Sequence, residues 1–414
     1  MTQQGAQRLR TMPDTAAYRD RANTEGAAFV ARVETVLDRI ASTRDQSEVL
    51  GRVPDNAVNA MREIGVFRAL TPVRFGGLEM APGKLFEGMM RIAASDSSAA
   101  WIGGQLNVHS FEIALMHPRM QEEFWANGPD TTASSSYAPI GKVRAVDGGF
   151  VLSGRWTFSS GVDHADWVIL GGGIRNFVVP RAEVTIDHGS WEVAGLRGTG
   201  SKAVVLEEVF VPNYRVHDLA DTYHDRNPGW ALNDGPLYRL SWLGIFNSTP
   251  TNSTVGTALA ALDAFFEQSR VRYSKMGTGA AVNENPFLHL KLARAYSAVN
   301  LVRQRHLANW DFLFDKACDG DEITLRDKLK VRFEAAETNA TCFEAITEIW
   351  PLAGARAIET GNPMQMALRD LMAMRNHGSA GLEMAAGAYM KQLFDLPAPP
   401  PAEPIDMATL AFYK

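Results

Sequence analysis

The sequence predicts an α+β chain in three parts. An N-terminal helical domain spans 1–127, a middle antiparallel β-domain 128–226, and a C-terminal four-helix bundle with a Pro-rich tail 227–414. Three observations predict this. Apolar residues recur at helical spacing up to about Asn127. From Asp130 to about Asp218 the texture changes to short apolar runs separated by Gly-rich turns. Four long periodic stretches then follow, and such a succession packs as a bundle.

Residues 1–20 are polar and are expected to be loosely ordered. In 53–70, VPDNAVNAMREIGVFRAL, a Pro-Asp start precedes Ala57, Ala60, Met61 and Ile64 on one helical face. Residues 84–94 and 98–116 read as further helices. His117-Pro118 breaks that run and 119–126 resumes it. Strands are expected at 131–138, 142–146, 150–153, 167–170, 176–179 and 203–211. Their turns are Asp147-Gly148-Gly149, Gly171-Gly172-Gly173 and Gly198-Thr199-Gly200. An irregular connector, 218–237, leads to bundle helices at 246–275, 285–314, 323–350 and 363–396. The tail DLPAPPPAEP cannot continue the last of them.

Composition excludes several functions. With 41 basic against 47 acidic residues, net charge -6 and no basic run, the chain has no nucleic-acid footprint. Its two cysteines, Cys318 and Cys342, lack metal-ligand spacing and form no disulfide framework. A reducing compartment, the cytoplasm, is the expectation. No apolar leader and no run of 18 apolar residues is present, so neither signal peptide nor membrane span is expected. The glycines at 171–173 and 195–200 lie among strands, not in the strand–turn–helix setting of a nicotinamide dinucleotide fold. There is no HExxH pair, no GxSxG elbow, and DKACDGD (315–321) is too short for a calcium loop, so no metal is expected.

Three clusters remain. Trp101 and His109 lie in an otherwise apolar helix. Serines close two strands, Ser134-Ser135-Ser136 and Ser159-Ser160. Arg369-Asp370 precedes Arg375-Asn376-His377-Gly378. Singly, each has a structural reading: a satisfied core histidine, turn-capping serines, a buried ion pair. Together they offer neutral donors and acceptors, and imidazoles able to take a phenolic proton. They include no evident nucleophile or metal, so hard chemistry would need a borrowed cofactor.

Several segments, in order over about 330 residues, carry a resemblance. They are Val53-Pro54-Asp55, FGGLE (75–79), SSSYAP (134–139), GRWTFSSGVDH (154–164), GLRGTGS (195–201), VFVP (209–212) and GNPMQMALRDLMAMRNH (361–377). The chain resembles the acyl-CoA dehydrogenase superfamily. Within it, the chain looks like the oxygenase components of two-component flavin monooxygenases, of the 4-hydroxyphenylacetate 3-hydroxylase and secosteroid phenol hydroxylase type. The resemblance implies the acyl-CoA dehydrogenase-like fold and usually a homotetramer. It implies reduced FMN or FAD supplied by a separate NAD(P)H-dependent reductase, with O2 as co-substrate and a C4a-hydroperoxide that hydroxylates a phenolic or related aromatic ring. In true acyl-CoA dehydrogenases a glutamate follows the Arg-Asp pair by about eight residues. Here His377 stands in that region.

By the same resemblance His109 and Ser135 hold the substrate phenol, and Trp101 faces the ring. Ser160 sits near flavin N5, and His377, with His109, draws the phenol proton. Ser134, Ser135, Phe158, Ser159 and Ser160 line the cofactor, with Arg272 on a phosphate. Gly378-Ser379-Ala380 departs from the larger polar residues of the steroid hydroxylase. The alternatives are an N- or S-oxygenating or indole-oxidising enzyme of the same fold, a true acyl-CoA dehydrogenase using Glu383, or a non-catalytic scaffold.

Overall fold

The computed structural model describes residues 15–223, 226–273, 279 and 281–396. Its first part is helical: α1 (Thr15–Glu34), α2 (Leu37–Ala41), α3 (Arg44–Leu50), α4 (Asp55–Glu63), α5 (Pro82–Ser95), α6 (Ser97–Leu115) and α7 (Pro118–Phe124). Helix α1 starts at Thr15, inside the segment expected to be loose. Residues 1–14 and most of the Pro-rich tail lie outside the described residues. The helix expected over 53–70 is half that length. It stops because Gly65 takes φ +90°, a left-handed turn that ends the helical path.

The middle part holds β1 (Ala133–Ser136), β2 (Lys142–Val146), β3 (Gly149–Ser159), β4 (Trp167–Gly172), β5 (Arg175–Pro180), β6 (Thr185–Asp187), β7 (Lys202–Pro212) and β8 (Val216–Asp218). They form two four-stranded sheets, β1-β4-β5-β8 and β2-β3-β7-β6. Pairing is antiparallel except for β1 with β4, which is parallel and corrects the wholly antiparallel expectation. Leu152, Trp156, Leu170, Phe177, Val204 and Val211 fill the space between the sheets.

After the short α8 (Leu219–Tyr223) come α9 (Trp242–Arg270), α10 (Pro286–Asp319), α11 (Leu325–Ile349), α12 (Pro363–Arg375) and α13 (Leu382–Leu393). The single helix expected over 363–396 is two, parted by a break at 376–381. The end expected for α9, Lys275, lies outside the described residues. Helices α9–α12 share one continuous core with α1 and α4–α6, whereas the sheets keep a core of their own. Helix α6 is the hinge of this arrangement. It touches α5 and α9 on one side and β1 on the other, and all but its first residue is buried.

Candidate active site

Helix α6 is buried all round, so each polar group on it has to find a partner inside the protein or in a ligand. Asp96 caps it, accepting from the Ser98 and Ala99 amides. One turn on, the Trp101 indole Nε1–H donates to Ser160 Oγ at 3.1 Å. Ser160 directly follows β3, and its hydroxyl lies 2.7 Å from Ser201 Oγ, which lies 2.7 Å from Thr199 Oγ1. Thr199 donates to the Leu196 carbonyl. A carbonyl accepts only, so each hydroxyl in turn passes its one hydrogen down the chain. Ser201 donates to Thr199, and Ser160 donates to Ser201. Ser160 is left with a free lone pair and no free hydrogen.

His377 joins this group from the break between α12 and α13. Its ring stands edge-on to Trp101, centroids 5.2 Å apart at 85°. The Ser379 amide donates to its Nδ1, and Ser379 Oγ lies 2.7 Å from the same atom. Nδ1 is therefore an acceptor. Burial, helped by the Arg332 charge, pushes the imidazole down to about 4, so it is neutral at pH 7 and its proton sits on Nε2. The expectation that His377 draws a proton meets a nitrogen that already carries one.

Two helical turns past Trp101, His109 is fully buried in the corner between α6, the end of β1 and α9. Its Nδ1 is 2.9 Å from the Tyr137 hydroxyl, and its Nε2 has no partner. The Tyr137 hydroxyl donates to Glu112 Oε2. Oε1 of Glu112 accepts from Asn176 at 2.8 Å and from His217 Nδ1 at 2.8 Å. Burial opposes charge on Glu112, but the neighbouring imidazole of His217 and the hydrogen bonds from His217 and Tyr137 outweigh it and hold the carboxyl below its ordinary range. His109 is driven down to about 4 by burial, against the pull of Glu112. Ser135 is half-buried, and its hydroxyl faces Tyr137.

The remaining expected residues divide. Ser134 and Ser159 are fully buried, and the Ser159 hydroxyl donates to Ser134 Oγ at 3.1 Å, which knits β1 to β3. Phe158 is 68% exposed at φ +64°, edge-on to Trp191. Arg272 does not join the group. Its guanidinium donates to the Leu352 and Ala353 carbonyls beside a separate cavity of about 460 Å³ lined also by Glu284 and Asn285. Arg369 and Asp370 do not pair with each other. Each bonds the 194–196 loop, Arg369 to the Ala194 carbonyl and Asp370 to the Leu196 amide. Glu383 is exposed in the first turn of α13.

Sequence reasoning missed Glu112, Tyr137, His217, Thr199 and Ser201. One signal was available: Glu112, three residues after His109 in an apolar helix, is a charge that burial leaves in need of partners. Among the described residues no His, Cys, Asp or Glu group could hold a metal, and no helix is long and apolar enough to cross a membrane.

Residues 251–380 match the acyl-CoA dehydrogenase C-terminal domain. The flavin-dependent monooxygenase oxygenase subunit HsaA of Rhodococcus jostii (strain RHA1) is 32% identical, with 88% of this chain and 98% of that protein covered. The chain belongs to the oxygenase components of the flavin-dependent hydroxylases. The oxygenase component of p-hydroxyphenylacetate 3-hydroxylase from Acinetobacter baumannii is 29% identical over 91% of this chain and 92% of its own. The crystal structure of the 3-HSA hydroxylase from Rhodococcus sp. RHA1 superposes with a TM-score of 0.85 at 32% identity, covering 90% of this chain and 98% of that one. The fold is thus acyl-CoA dehydrogenase-like, and the protein is a flavin-dependent monooxygenase of the aromatic hydroxylase type. Such components work with a separate flavin reductase.

Proposed function

We propose that the group formed by Trp101, Ser160 and His377 holds the ring of a reduced flavin, and that a phenol lies beside it against His109. The observation that carries this reading is the convergence itself. Three segments far apart in sequence bring an indole, an acceptor-only serine and a neutral imidazole together, with His377 rather than a carboxylate beside Trp101. The residues fit the group. Ser160 can only accept, which suits the N5–H of reduced flavin. Gln105 Nε2, Asn107 Oδ1 and His109 Nε2 on α6 are buried polar atoms still in want of partners.

Bound reduced flavin, with O2, supplies the oxygen atom that is transferred to the ring. The protein's part is position and proton control. His377 keeps its proton on Nε2 and donates. His109 offers a bare Nε2 and takes the phenol proton, which raises electron density on the ring. A thiophene or thioether has no hydrogen to give Nε2, and this favours a phenol over a sulfur substrate. The rings of Trp242 and Phe246 keep water from this corner. Trp101, Ser160 and His377 would meet the isoalloxazine ring that FMN and FAD share. Arg272 would face a flavin phosphate across a homotetramer contact. The buried, free Cys318 and Cys342 suit a reducing cytoplasm.

Single-turnover mixing of reduced flavin, O2 and a phenol tests the roles. His109→Gln is expected to abolish hydroxylation while oxygen consumption continues as peroxide release. Hydroxylation by His109→Gln at the rate of the unaltered protein would refute the phenol site.

A further inference from the structure

The buried groups behind His109 form a directed chain that the activity itself does not explain. We propose that Tyr137 and Glu112 are positioning residues. They lock His109 in the tautomer whose Nε2 is bare, and they carry the proton it receives away from the substrate.

Hydrogen counting gives the direction. Glu112 has two donors on Oε1, Asn176 and His217, and its Oε2 accepts from the Tyr137 hydroxyl. Tyr137 has a single hydrogen, which is spent on Glu112, so at 2.9 Å its oxygen must accept from His109 Nδ1–H. A neutral imidazole with hydrogen on Nδ1 has none on Nε2. That Nε2 is fully buried and unpartnered, a basic nitrogen awaiting a donor.

The titratable groups in contact come from three elements: Glu112 on α6 itself, Tyr137 beyond β1, and His217 on β8. Helix α9 contributes only the rings of Trp242 and Phe246. In this setting a free imidazolium is disfavoured, and the chain avoids forming one. As the phenol O–H gives its proton to Nε2, the Nδ1 hydrogen passes to Tyr137 and the Tyr137 hydrogen to Glu112 Oε2. His109 and Tyr137 end neutral; because Glu112 is held below the ordinary carboxylate range, the transfer is uphill from a resting phenol and runs as the ring carbon takes up oxygen and the phenol O–H turns strongly acidic. His217 and Asn176 stay on Oε1 and hold the carboxyl in place.

This inference rests on the phenol site proposed above, and the experiments separate the two. A joint neutron and X-ray crystal structure of the perdeuterated full-length protein is expected to show deuterium on His109 Nδ1 and none on Nε2. Deuterium on Nε2 alone overturns the tautomer assignment even if His109→Gln abolishes hydroxylation.

Tyr137→Phe and Glu112→Gln are expected to lower the hydroxylation kcat about 100-fold with KM little changed. The deficit should shrink as pH rises toward the phenol's own pKa, about 10, where the substrate arrives already ionised. A merely structural role would lower kcat equally at every pH. A pH-independent loss, or no loss, in both variants overturns the relay.

Discussion

Removing one serine hydroxyl should change which redox state of flavin the protein prefers. Ser160 accepts from Trp101 Nε1 at 3.1 Å and gives its hydrogen to Ser201 at 2.7 Å, leaving one lone pair for a ligand. Reduced flavin presents N5–H to that lone pair, whereas oxidised flavin presents a bare nitrogen. A neutral hydrogen bond is worth about 1 kcal/mol net, or about fivefold in affinity. Ser160→Ala should weaken reduced flavin about fivefold and leave oxidised flavin no weaker. Ser201→Ala is the sharper case. It frees the Ser160 hydrogen to turn outward, so oxidised flavin should gain a hydrogen bond and bind about fivefold tighter. Anaerobic titration of both redox states against both variants measures this. Thermal denaturation of Ser160→Ala reports separately the cost of stranding the Trp101 donor, about 1–3 kcal/mol. If the reduced-to-oxidised preference is the same in all three proteins, the hydrogen-bond direction derived for Ser160 is wrong.

Three further outcomes are expected. His306 is buried against Phe86, and burial, with the Arg305 charge, pushes it down to about 3. The unfolded chain therefore binds more protons at this site below about pH 6.5, and His306 alone should contribute a fall of about 2 kcal/mol in folding stability from pH 7 to pH 5, on top of like contributions from the buried His109 and His377. In urea titrations His306→Gln should reduce the pH 7 to pH 5 loss by about that 2 kcal/mol share, and an unchanged pH slope would contradict the buried neutral state. A Cβ on Gly195 would lie 2.1 Å from the Arg369 carbonyl oxygen, so Gly195→Ala should cost about 1–3 kcal/mol by urea unfolding, and full stability would show that the loop is not tight against α12. Glu383→Gln should hydroxylate as fast as the unaltered protein, because the exposed Glu383 takes no part. Loss of activity would revive a carboxylate base on α13.

The parts of the fold set by local chemistry were legible. Helices α5 and α6 begin where Pro82 and the Asp96 cap put them, and β2 matches its expected span. The break at 376–381 was not, because Gly378 and Gly381 interrupt two helices that are each periodic and no proline marks the spot. Strands β6 and β8 are three residues each, too short for alternation to register. The parallel pairing of β1 with β4 depends on chain crossing that periodicity does not encode. In the site, Trp101, Ser160 and His377 were named from a resemblance, and the structure places them in contact. The bond between Ser134 and Ser159 was not legible, since strand-end serines look alike whether or not they face a neighbouring strand. The Glu112–His217 pair joins residues 105 apart, so only the fold could reveal it.

The most direct measurement uses labelled oxygen. The protein, a flavin reductase, NADH, flavin and a panel of phenols are incubated under 18O2, and the products are analysed by mass spectrometry. One 18O atom on the ring of a catechol product, absent when His109 is replaced by Gln, is the predicted result. Peroxide as the sole fate of the oxygen across the panel, or flavin reduced by an acyl-CoA in the absence of NADH, would contradict the account.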